Sequence, residues 1–124
     1  MIAAALRVAD SVLIPVQPSP YDIWAVSDLV ELIHARREVT EGRPEAAFVV
    51  SRAIRRTVLS RELHTTLAEY RLPVFAAGTV QRQCYARSAA GGLSVFDDGS
   101  REAAAEIVAI ADELLSHFDR KEAA

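Results

Sequence analysis

Lysine is almost missing: 13 of the 14 basic residues are arginine, and the one lysine, Lys121, stands at the far end of the 124 residues. A nucleotide phosphate loop needs Gly-rich backbone donors followed directly by a lysine that enters a helix and reaches the phosphates. No such loop can be written with these residues. Cysteine is equally scarce, and with Cys84 alone neither a disulfide framework nor a Cys-rich zinc site can form. A single buried thiol is the ordinary fate of such a residue. No apolar run reaches the roughly 20 residues of a membrane-crossing helix. Residues 1–9 hold one arginine and no leader-like pattern, so the cytoplasm is the expected location and no membrane role is expected. The three histidines, His34, His64 and His117, fall in helical patterns without a Cys or carboxylate at metal-ligand spacing, so no metal site is expected. No Ser/His/Asp order or carboxylate pair argues for independent catalysis.

The chain is 51% hydrophobic and 25% charged, enough for one globular domain with a modest core. A net charge of −3 excludes indiscriminate coating of nucleic acid, though local basic patches can still act. Apolar runs alternate with helical patterns, which predicts an α/β class with a parallel sheet of about three strands flanked by helices. Ile2, Ala5, Leu6 and Ala9 fit a short amphipathic helix, and residues 11–16 form a compact apolar strand stopped by Pro18 and Pro20. Asp22 can cap a helix to about residue 38, with Ile23, Val26, Leu29, Val30 and Ile33 on one face. Strands are expected over 46–50 and 73–76, a helix over 58–70, and a loop or short helix over 78–94. Ser100 can cap a last helix whose Ile107, Ile110, Leu114, Leu115 and Phe118 face the sheet, with 119–124 fraying. The strand at 11–16 has the composition of a central strand yet would lie at an edge, so something should cover it. Trp24 and Tyr85 are expected to be packing residues.

Two stretches carry more than a fold class. The first, ADSVLIPVQPSPYD from Ala9 to Asp22, is a strand running into a proline-braced loop and a capped helix. The second begins Gly78-Thr79-Val80-Gln81-Arg82-Gln83-Cys84-Tyr85-Ala86-Arg87-Ser88 and continues through Gly91-Gly92-Leu93-Ser94-Val95-Phe96. Both resemble segments of the ParA-type DNA-partition ATPases, especially the ParF branch. Between them, Phe48-Val49-Val50-Ser51-Arg52-Ala53 is similar to the strand end that lies beside the nucleotide base in that family. The resemblance runs from about Ile2 to Leu115.

The resemblance implies the C-terminal half of a P-loop NTPase with a deviant phosphate loop, ATP and magnesium as cofactors, and a nucleotide-sandwich dimer. The phosphate-loop, second acidic and Walker B segments would precede the first residue here, so ATP hydrolysis by this chain alone, and tight binding of ATP or magnesium, are not expected. Carried over by position, the nucleotide-binding residues are Pro18, Ser19, Pro20, Asp22, Ser51, Arg52, Thr79 and Arg82. Ser51 stands where many members have asparagine, and a hydroxyl reads a base less selectively than an amide. Arg55, Arg56, Arg61, Arg82 and Arg87 are candidates for non-specific contact with DNA, which would weaken steeply with salt. A homodimer through the exposed sheet edge and a centromere-binding partition protein are the implied partners. A stand-alone module that co-assembles with an intact partition ATPase is the alternative reading.

Overall fold

The computed structural model describes residues 2–54, 57–97 and 100–123. Arg55 and Arg56 lie outside the described residues. The elements run α1 (Ile2–Val8), β1 (Ser11–Val16), α2 (Pro20–Val39), β2 (Glu45–Ala53), α3 (Val58–Ala68), β3 (Val74–Val80), α4 (Gln83–Ala90) and α5 (Arg101–Ala123). The class is α/β: a three-stranded parallel sheet in the order β1-β2-β3, flanked by helices. Among the described residues no helix is long and apolar enough to cross a membrane.

The strand order dictates where the helices go. Both crossovers, β1 to β2 through α2 and β2 to β3 through α3, step the same way across the sheet. Right-handed connections then put α2 and α3 on one face. The principal core is that face: Ile14, Val16, Phe48 and Val50 from the strands meet Ile23, Val26, Val30 and Ile33 of α2 and Leu63 and Leu67 of α3. Leu6 brings α1 onto the same layer. The other face carries Ala47, Val49 and Phe75, all buried, with α5 packed against β3 and the His117 ring 5.9 Å from that of Phe75.

The apolar stripe of α2 leaves its aromatics outside. Trp24 follows Ile23 by about 100° of helical turn, so it points away from the core and is 67% exposed, against the expectation that it packs. Its ring meets only Tyr21 among the described aromatics, edge to face at 5.7 Å, and Tyr21 is also exposed. As the chain has one tryptophan, its fluorescence reports this position directly. Iodide and acrylamide are expected to quench the folded protein nearly as well as the urea-unfolded chain; a folded state shielded from both would contradict this placement.

The two sheet edges end differently. In β1 the carbonyl of Asp10 accepts from the Glu45 amide, so Asp10, Val12, Ile14 and Val16 turn their backbone groups toward β2, while Ser11, Leu13 and Pro15 turn theirs outward. Pro15 has no N–H to offer and is exposed, which is the place for a proline in a strand. At the opposite edge α5 closes β3 with carboxylates. Glu113 accepts from the amides of Ala76 and Ala77 at 2.9 and 2.8 Å, and Glu106 accepts from Val80 at 3.1 Å.

Candidate functional site

In an open parallel sheet, ligands bind beyond the carboxyl ends of the strands. Here those ends are residues 17–19, 51–54 and 79–82, and they enclose a cleft of about 260 Å³. Gln17, Pro18 and Ser19 form one wall, Arg52 and Ile54 another, Thr57 and Ser60 of the α3 entry a third, and Gln81 closes it. A neighbouring hollow shares Ile54 and Gln81 and is lined also by Ala53, Val80 and Arg82.

Each wall has a local cause. Ser19 is the residue before α2, with extended backbone, and Pro20 takes the first helical position where its missing N–H is no loss. The helix thus begins two residues before Asp22, correcting the reading of Asp22 as its cap. The Asp22 carboxylate instead reaches back and accepts from the Gln17 amide at 3.0 Å, which clamps the proline loop. Arg52 adopts φ 57°, the left-handed region that L side chains enter at a cost of about 1–3 kcal/mol. Its amide is held there by the Thr79 hydroxyl, which accepts at 3.1 Å. Thr57 caps α3 by accepting from the Ser60 amide at 3.2 Å.

Of the eight residues expected at a nucleotide, Pro18, Ser19 and Arg52 line this cleft. Asp22 and Thr79 stand behind it as braces. Pro20 is exposed at the start of α2 and Ser51 is half-buried in β2. Arg82 lines the adjoining hollow, but its guanidinium is held by α5: Nε donates to Glu106 and Nη1 to Glu102, both at 3.0 Å. Tyr85 donates to the same Glu106 carboxylate at 2.7 Å. Among the remaining candidates for DNA contact, Arg61 is exposed on α3 and Arg87 is exposed on α4.

Sequence reasoning passed over Thr57 and Ser60, and it placed Gln17 and Gln81 in the matched segments without singling them out. Thr57 had a usable signal, a threonine just before the helical pattern at 58. The two glutamines had only their place in those segments, because an amide in a loop is ordinary until the fold aims it.

Among the described residues, Arg52 is the one charged residue lining the cleft. The other polar groups are amides and hydroxyls that both donate and accept, a set suited to the rim of a base or the hydroxyls of a ribose. The size agrees with part of a nucleotide, since pockets for a whole small ligand run from about 300 Å³ upward. No group of three His, Cys, Asp or Glu among the described residues could hold a metal ion. The described lining thus suits the donor and acceptor edges of a nucleoside.

No protein-family model matches the chain. It is similar to "Maintenance of carboxysome distribution protein A" of Halothiobacillus neapolitanus, 35% identical over 108 residues that make up 86% of this chain and 50% of that protein. The chain thus spans about half the length of the curated relative it matches.

Proposed function

We propose that this chain is the base-side half of a ParA-type ATPase that positions a cargo in the cell. The observation that carries the reading is the cleft: Pro18, Ser19 and Arg52, three residues of the family resemblance, converge at the strand ends, in a chain whose one lysine, Lys121, belongs to no phosphate-loop sequence. The phosphate loop would come from outside these 124 residues, seated against the open edge of β1, either as a companion half or through a second copy. The name of the similar protein concerns carboxysome distribution, which favours distribution of a large cargo over partition of DNA as the task. Contact with DNA through Arg61 and Arg87, and a dedicated adaptor protein for the cargo, belong to the same proposal.

The expectation is distinctive. With base contacts but no phosphate grip, adenosine and ATP bind this chain equally weakly, within about ten-fold of each other. Calorimetry with both ligands and a magnesium-dependent phosphate-release assay test it. Arg52→Gly removes the cation while relieving the left-handed backbone, so it should weaken both ligands without lowering stability. ATP binding a hundred times tighter than adenosine, or turnover by the pure chain, would refute the base-side reading.

A further inference from the structure

Between α1 and α2 runs a groove of about 260 Å³, lined by Leu6, Arg7, Leu32, Ala35 and Arg36. Leu6 is part of the core, but Leu32 is 47% exposed. The apolar line continues beyond the groove. Leu32, Ala35 and Val39 recur at the spacing of one helical face and are all exposed, and Val8 on α1 is 83% exposed. This is unusual for a surface that meets only water.

The charges here are also unanswered. Arg37 pairs with Glu45, and Arg82 with Glu102 and Glu106, whereas neither Arg7 nor Arg36 has a carboxylate partner among the described residues. Among the described residues no carboxylate lines the groove, in a chain whose net charge is −3. Two free guanidinium groups thus flank an apolar floor.

We propose that this groove docks an amphipathic, acidic helix of a partner protein. Its apolar side chains, at i, i+3 or i+4, and i+7, seat over Leu32, Ala35 and Val39, and Asp or Glu on its flanks face Arg7 and Arg36. Helix-in-groove recognition takes its affinity from such apolar anchors, and the flanking charges set orientation and choice of partner. An extended phosphate backbone would answer the arginines but leave the leucine floor uncovered. The surface begins about 18 Å along α2 from Pro20, at 1.5 Å per residue, so it stands or falls independently of the nucleotide cleft.

Two fluorescent amphipathic peptides, each about five helical turns long, provide the test: one with leucine anchors flanked by glutamate, the other with the same anchors flanked by lysine. At low salt the glutamate peptide should bind at least about ten-fold more tightly by anisotropy. The double variant R7E/R36E should invert that preference, and Leu32→Asp should weaken both peptides. All three positions lie at the surface or its margin, so thermal unfolding of the variants should match the parent. Equal affinity for the two peptides, binding of neither, or a preference that survives charge reversal would overturn the proposal. So would displacement of the glutamate peptide by duplex DNA or by anionic phosphatidylserine vesicles, which would assign the arginines to phosphate. Self-association of the chain that R7E/R36E dissolves would give the groove to a second copy and overturn it as well.

Discussion

Gly78→Val is expected to destabilise the fold by upwards of about 3 kcal/mol, the severe end of overpacking effects, measured as the shift in urea unfolding. Gly78 pairs with Val50 where β3 runs beside the central strand. A Cβ built on Gly78 would lie 2.5 Å from the Val50 carbonyl oxygen. That oxygen belongs to backbone in the middle of the sheet and cannot swing aside as the tip of a side chain could. Even alanine meets the clash, and valine adds two methyl groups to it. Gly91→Ala is the control, since its nearest atoms are backbone oxygens 3.6 and 3.7 Å away, ordinary contact distances. A Gly78→Val protein as stable as the Gly91→Ala one would show that β3 does not approach β2 in this way.

Glu106→Ala should cost about 2–3 kcal/mol, because it strips the acceptor from the Val80 amide, the Tyr85 hydroxyl and the Arg82 guanidinium at once. The figure is kept low for three lost contacts because Arg82 retains Glu102 and the Glu106 side chain is still 15% exposed, so water can enter. Burial alone would raise the Glu106 pKa, but hydrogen bonds from Arg82, Tyr85 and the Val80 amide outweigh it and hold the carboxyl below its ordinary 4.5. Burial, reinforced by the same carboxylate, pushes the Tyr85 phenol well up, so it remains a donor throughout the neutral range.

The sign of the pH dependence follows. A carboxyl whose pKa is depressed by folding contributes stability that is complete above its unfolded pKa and is lost as pH falls through the folded one. Wild type should therefore lose stability relative to Glu106→Gln below about pH 4.5. At neutral pH the glutamine variant should lie between wild type and Glu106→Ala, because an amide oxygen can still accept from Val80 or Tyr85. Parallel stability curves for wild type and Glu106→Gln across the acid range would rule out the linkage.

How much of this was readable beforehand varied from element to element. The bounds of β1 read directly, because the six-residue run Ser11–Val16 between Asp10 and Gln17 left no other strand to draw. The strand β3 read short, as 73–76 in place of Val74–Val80, because Ala76, Ala77 and Gly78 carry no strand signal and the glycine looks like a turn. Its reason is space against Val50, which only the paired strand reveals. The start of α2 was misread for a related reason: Pro20 was taken to end β1, when it also opens the helix. The resemblance located the three strand ends of the cleft, but not the work of Glu106 and Glu113. They sit one heptad apart on α5 and look like ordinary surface charge until β3 is laid beside them. Arg82 was read for its charge, and its partners lie 20 and 24 residues away on α5.

The contrast between the two sheet edges gives growth of this sheet a direction. On the β3 side the outward amides of Ala76, Ala77 and Val80 already have carboxylate acceptors, so an arriving strand would have to displace α5 to pair there. On the β1 side Ser11 and Leu13 still offer donors, and Pro15 ends the register before the mouth of the cleft. A strand that extends the sheet can thus add at one flank only, and its amide-to-carbonyl zip stops at Pro15. Two copies cannot stack into an unlimited ribbon of sheets, since each has only one flank that accepts a neighbour.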